Sequence, residues 1–119
     1  MLKMDLIKYL KRQKEFSERT FGPMDSGEQR FDAIIDHIEK ELAEVKQLPI
    51  DVFEWMDVVI LAFDGALRAG WTPEQVASAL KEKLRTNELR KWPDWRTADP
   101  GKAIEHIKEE HPTESEPPC

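Results

Sequence analysis

The stretch FDAIIDHIEKELAEVKQLPIDVFEWMDVVILAFDGAL, residues Phe31 to Leu67, decides the fold. Phe31, Ile34, Ile35, Ile38, Leu42 and Val45 recur at three- and four-residue intervals, the period of a helix with one apolar face. Pro49 ends the connection that follows, and Asp51-x-x-Glu54 can cap a second helix. That helix is apolar almost all round between Val58 and Phe63, so it is expected to be the most buried one. If the two helices lie antiparallel, Glu41 and Asp57 stand at one height, each eight residues from Pro49. Glu44 and Glu54, each five residues away, stand at another. Axes roughly 8–10 Å apart would bring all four carboxylates around one small volume. Like charges that close repel unless a cation sits among them, so a divalent-metal site is expected there.

Working outward, Leu2, Leu6, Leu10 and Phe16 predict a first helix over about residues 2–18. Arg19-Thr-Phe-Gly-Pro23 is expected to break it. Phe21, an aromatic beside an arginine in a loop, reads either as a ligand contact or as an anchor on the core. Ser26-x-x-Gln29 has the form of a capping box for the helix of Phe31. Gly70 suits the residue just past the end of the next helix. Thr72-Pro73-x-Gln75 starts a fourth, with Val76, Leu80 and Leu84 as its stripe and Lys83, Asn87 and Arg90 on an adjacent face. The chain leaves that helix at Trp92-Pro-Asp-Trp-Arg96 and turns at Asp99-Pro-Gly101. A short helix is expected around Lys102–Glu110, and residues 111–119, rich in Pro, Glu and Ser, read as a disordered tail. With no strand candidate, the fold class is all-α: one domain over residues 1–110 with four to five helices.

Composition narrows the function. A net charge of −6 in 119 residues gives no electrostatic support for nucleic-acid binding. The basic residues Lys8, Lys11, Arg12 and Lys14 read more simply as a solvated helix face. No apolar run approaches the roughly 20 residues that span a bilayer, and no signal-peptide pattern opens the chain. The single cysteine, Cys119, excludes a disulfide framework within one chain. A soluble cytoplasmic domain is expected.

Single acidic pairs carry little weight. The chain holds six Asp/Glu pairs at i, i+3, against about five expected by chance for this composition. Glu44 could pair with Lys40, and Glu54 could simply close its capping box. What lifts Glu41-x-x-Glu44 and Glu54-x-x-Asp57 above that background is their position beside apolar stripes and their register across the turn. The Lys83/Asn87/Arg90 line adds cations suited to phosphate oxygens. A carboxylate cluster without sulfur or a histidine set suits Mg²⁺. His37, one turn before Glu41, reads as a partner of a metal-binding carboxylate, a substrate contact or a structural histidine. Trp92 and Trp95 read as base-stacking rings or as core. The reading from a different class is a helical interaction module whose stripes are oligomer seams and whose carboxylates face solvent.

Glu41-x-x-Glu44 followed by Glu54-x-x-Asp57 resembles the metal-binding signature of the MazG-like all-α nucleoside triphosphate pyrophosphohydrolases. Arg19-Thr-Phe-Gly-Pro23, His37-Ile-Glu-Lys-Glu-Leu-Ala-Glu44, Leu61-Ala-Phe-Asp-Gly-Ala66 and Trp92-Pro-Asp-Trp-Arg-Thr-Ala-Asp99 resemble the dATP/dGTP pyrophosphohydrolase family in particular. The resemblance covers about residues 15–107. It implies a MazG-like helical bundle that hydrolyses a purine deoxynucleoside triphosphate, dGTP or dATP, to the monophosphate and pyrophosphate. It also implies that Glu41, Glu44, Glu54 and Asp57 hold two or three Mg²⁺ ions, with Mn²⁺ able to substitute. Lys83, Asn87 and Arg90 match triphosphate-contacting positions. Dimers or tetramers are implied, and some members occur in bacteriophages, which would place the protein in the host cytoplasm. One departure is that only nine residues separate Glu44 from Glu54, fewer than is general in MazG proteins. The equal spacing about Pro49 suggests a tighter hairpin that keeps the register. A related enzyme acting on a pyrimidine nucleotide is the alternative within this chemistry.

Overall fold

A computed structural model describes residues 3–108. Among them the chain is all-helical, with four α-helices, one 3-10 turn and no strand, as expected of a MazG-like helical bundle. Helix α1 spans Leu6–Phe21, α2 Glu28–Gln47, α3 Val52–Arg68 and α4 Pro73–Leu89; the 3-10 turn is Trp95–Thr97. The expected tail, residues 111–119, lies outside the described residues.

Helix starts follow local chemistry where nothing distant competes. The Asp5 carboxylate accepts from the Ile7 and Lys8 amides (3.0 and 3.3 Å), so α1 begins at Leu6 and not at residue 2. It also runs past residue 18 through Arg19, Thr20 and Phe21, and stops only at Gly22, whose φ of +98° disfavours any side chain. Thr72 and Gln75 form the full capping box of α4. The Thr72 Oγ1 accepts from the Gln75 amide (3.1 Å), and the Gln75 Oε1 accepts from the Thr72 amide (2.9 Å). Asp51 caps α3 through the Phe53 amide (2.9 Å). The box expected at Ser26 does not form: Gly27 precedes α2 with no side-chain cap, and the Ser26 hydroxyl accepts from Arg68 Nη1 (2.9 Å) instead.

The chain divides into two compact units, Met1–Leu80 and Lys81–Cys119. In the first, α2 and α3 pack side by side. Arg30 meets Asp64 at one end of the pair and Glu44 neighbours Glu54 at the other, so the two run antiparallel. Ile34, Val45 and Leu61 are buried along this hairpin. Helix α1 packs on α3, where Gln13 Nε2 donates to the Ile60 carbonyl (2.8 Å) and Gln13 Oε1 accepts from the Tyr9 hydroxyl (2.7 Å). Leu10, Leu67 and Val76 form the main core, flanked by Tyr9, Met24 and Phe63.

Helix α3 is the most buried of the four, as expected, through Leu61, Asp64, Leu67 and Arg68, but only towards its C-terminal end: Val52, Phe53, Trp55, Met56, Val59 and Ile60 are exposed, Phe53 at 76%. A helix apolar on every side needs more neighbours than α1 and α2, the helices that pack on it among the described residues. On α4, Val76 is buried but Leu80 and Leu84 are exposed, and on α2 so are Ile35 and Leu42.

The second unit holds the end of α4, the 3-10 turn and the strand-free segment to residue 108. Trp92 Nε1 donates to the Asn87 carbonyl (2.7 Å), and its ring meets His106 edge-on. Asp99 and Lys102 close the expected turn (3.2 Å). No helix follows through residue 108: the Ile107 amide donates to the Lys91 carbonyl (2.7 Å), a pairing a local helix could not make. Residues 109 and 110 of that expected helix lie outside the described residues.

Candidate metal centre

The hairpin register brings together most of what the sequence placed there. One oxygen each from Glu41, Glu44 and Glu54 lie within 4.8 Å of one another. Glu41 and Glu44 share a face of α2 one turn apart, and the tight connection at 48–51 swings Glu54 to the height of Glu44. Glu41 and Glu54 are half-buried, whereas Glu44 is exposed. Asp57 stands outside this triangle and is exposed. It is still close enough to act electrostatically on both Glu41 and Glu54.

The charges are not compensated by neighbouring cations in the usual way. Burial pushes the Glu41 carboxyl above the ordinary glutamate range; the adjacent Glu44 and the charge of Asp57 push it further, and His37 partly offsets them. Burial likewise raises Glu54, with Glu44, Asp51 and Asp57 adding to it. His37 Nε2 lies 3.2 Å from Glu41 Oε1, which makes it a partner of that carboxylate. The second oxygens, Glu41 Oε2 and Glu54 Oε2, are buried and have no hydrogen-bond partner among the described residues.

Buried acceptors without donors are uncommon and ask for an explanation. A divalent cation fits the donor set: all ligands are carboxylate oxygens, the preference of Mg²⁺. Two oxygens on one Mg²⁺ lie at most about 4.2 Å apart, twice the metal–oxygen bond of roughly 2.1 Å. Neighbouring oxygens on an octahedral ion lie closer, about 3.0 Å apart, so the three carboxylates, within 4.8 Å of one another, would draw together to hold one.

The remaining sequence candidates fall elsewhere. Phe21 is the last residue of α1, partly exposed, its ring edge-to-face with Phe16 at 6.2 Å and covered on one side by the Arg30 guanidinium at 4.5 Å. Lys83, Asn87 and Arg90 belong to the second unit, all half-buried, with Arg90 Nη1 donating to Asn87 Oδ1 (3.3 Å). Trp92 is tied down within that unit, while Trp95 is 69% exposed with Arg96 stacked on it at 5.0 Å. Neither tryptophan is a core residue of its unit.

Sequence reasoning missed Arg68. Its side chain is 2% exposed and donates from Nε to Asp64, from Nη1 to the Pro23 carbonyl and the Ser26 hydroxyl, and from Nη2 to Ser17 and the Gly22 carbonyl. The available signal was Asp64-x-x-x-Arg68, an i, i+4 charge pair inside an apolar helix.

Residues 9–111 match the family described as dATP/dGTP pyrophosphohydrolase. The chain belongs to that family. A curated relative, the Eaa protein of Salmonella phage P22, is 37% identical over 62 residues, which is 52% of this chain and 19% of that protein. The chain therefore matches about a fifth of the length of this relative. No solved structure matches. Members of a family of this description handle nucleoside triphosphates, and a carboxylate cluster with unsatisfied buried oxygens is the feature of the fold suited to their metal-chelated phosphates.

Proposed function

We propose that this family member is a magnesium-dependent pyrophosphohydrolase that converts a purine deoxynucleoside triphosphate, dGTP or dATP, to the monophosphate and pyrophosphate. The observation that carries the reading is the convergence of one oxygen each from Glu41, Glu44 and Glu54 across the hairpin, with Glu41 and Glu54 each also holding a buried oxygen that has no hydrogen-bond partner among the described residues. Glu41, Glu44 and Glu54 would hold the ions, with Asp57 completing the shell. When bound, divalent ions supply Lewis-acid neutralisation of phosphate charge and acidify water.

The residues of the chain do the rest. Glu44, the exposed member of the triangle, is open to the solvent side and accepts the proton of the attacking water, with Glu41 beside it. A new bond from the water oxygen to the α- or β-phosphorus replaces the anhydride bond between those two phosphorus atoms, so the monophosphate and pyrophosphate separate. His37 Nε2 steadies Glu41 Oε1 so that this carboxylate keeps one orientation as charge changes around it. Phosphate contacts are assigned to Lys83 and Arg90 and a sugar or phosphate contact to Asn87, from their side-chain chemistry and the family resemblance. Phe21, Trp92 and Trp95 are the candidate stacking surfaces for the base. The exposed apolar residues of α2 and α3 support assembly as a homo-oligomer, a dimer or tetramer.

The test is pyrophosphate release from each of the four deoxynucleoside triphosphates, with Mg²⁺ and with a chelator. Magnesium-dependent release from dGTP or dATP is expected. Release only from a pyrimidine nucleotide would keep the chemistry and discard the purine assignment. No release from any of them by folded protein would leave the exposed apolar faces as an interaction module.

A further inference from the structure

The reaction proposed above leaves a second charged cluster of the hairpin unexplained. Arg30, His37, Glu41 and Glu44 follow one another at intervals of seven, four and three, and so share one face of α2. The carboxylates occupy the turn end of that face and Arg30 the opposite end. There, Arg30 Nη2 donates to Asp64 Oδ2 (3.4 Å) while its guanidinium carbon sits over the Phe21 ring, 4.5 Å from the centroid. Asp64 is itself held by Arg68 Nε (3.2 and 3.3 Å) and by the Ser17 hydroxyl. Arg68 then donates to the carbonyls of Gly22 and Pro23 (3.1 and 2.8 Å), the two residues that follow Phe21. One buried carboxylate thus fixes an exposed ring through Arg30 and the backbone behind that ring through Arg68.

The buried network reaches out to a ring that is 41% exposed. Arg30 Nε is buried and has no hydrogen-bond partner among the described residues, so the guanidinium lies over the ring with one donor left unspent. Arg30 lies over one face of the ring and Phe16 meets it edge-to-face at 6.2 Å, and the part of the ring still exposed is where a second planar group would stack.

We propose that Arg30 is a positioning residue that sets base selectivity: it backs Phe21 as a fixed platform on which the purine stacks, while the phosphates reach the carboxylates. The inference rests on the function proposed above. Glu41 lies eleven positions after Arg30, about 16 Å along the helix at 1.5 Å per residue, a span comparable to an extended nucleoside triphosphate. A double-ring purine covers more of a phenyl face than a single-ring pyrimidine, so the platform favours purines.

Binding is measured by calorimetry, with Mg²⁺, for two probes: a non-hydrolysable dGTP analogue and inorganic tripolyphosphate. Arg30→Met is expected to weaken the analogue about tenfold, the loss of one good stacking contact, and to leave tripolyphosphate unchanged. KM for dGTP rises in parallel while kcat holds. Arg30→Lys, which keeps the charge toward Asp64 but not the planar guanidinium, restores only part of the loss. Phe21→Leu leaves the Arg30–Asp64 pair intact and shows the same base-selective weakening, which covers the case where Arg30→Met fails to fold. Equal weakening of both probes, or of neither, overturns the inference while the function proposed above survives. Wild-type protein that binds neither probe overturns both.

Discussion

Replacing Arg68 with methionine tests whether the Asp64 cluster is as deeply structural as its geometry says. Arg68 and Asp64 are 2% and 5% exposed, so solvent screens their pairing little. Removing one partner of a buried ion pair costs about 3–5 kcal/mol, because the other charge stays buried without compensation. Here Asp64 keeps the Ser17 hydroxyl and the longer contact to Arg30, which points to the lower end, about 3 kcal/mol. The carbonyls of Gly22 and Pro23 sit near the surface and can take water instead, so they add little. At about 4 °C per kcal/mol for a domain of this size, the melting midpoint drops by roughly 12 °C. Urea unfolding followed by far-ultraviolet circular dichroism reads the same loss as a lower midpoint with an unchanged slope. Adding Asp64→Asn to Arg68→Met should recover part of the stability, since the orphaned charge is then gone, with a coupling of about 0.5–3 kcal/mol. A loss below about 1 kcal/mol, or strict additivity in the double variant, would refute the account of a desolvated pair.

Further outcomes follow from the carboxylates and the caps. Glu44→Gln is expected to abolish turnover with helical content and melting nearly intact; a variant keeping most activity would remove Glu44 from the site. Mg²⁺ at a hundred times its dissociation constant should stabilise the fold by about 2.7 kcal/mol, a thermal shift that a chelator reverses and Glu41→Gln weakens. In chelator, Glu41 and Glu54 hold their protons more tightly folded than unfolded, so the folded state binds more protons and stability falls as pH rises. The window opens at the ordinary value of 4.5 and closes at the raised one; Glu54→Gln should flatten melting midpoints across it, and an unchanged slope would count against the crowded triangle. Thr72→Ala removes half of the α4 capping box and should cost about 0.5–2 kcal/mol, read by urea unfolding.

What the sequence made legible was what neighbours along the chain determine. The apolar period from Phe31 to Val45 gave α2, and equal spacing about Pro49 gave the register that brings Glu44 to Glu54. Two motifs of the same form mark the boundary of such reasoning. Thr72-x-x-Gln75 forms its box through bonds made wholly within those four residues. Ser26-x-x-Gln29 does not, because Arg68, 42 residues away, takes the Ser26 hydroxyl. Hydropathy marked α3 as apolar on all sides but not what would cover it, and in a single chain the half bearing Phe53 and Trp55 lies open. Helical spacing puts Asp64 on the same face of α3 as Glu54 and Asp57, yet it points to Arg68 and Arg30 and is not part of the metal-type cluster. A helix wheel gives each residue a direction but not the identity of what lies in that direction. For Glu54 that neighbour is another carboxylate, which invites a cation from outside the chain. For Asp64 it is an arginine, so the charge is balanced from within, and that difference between two acids on one helix separates a candidate metal ligand from a structural one.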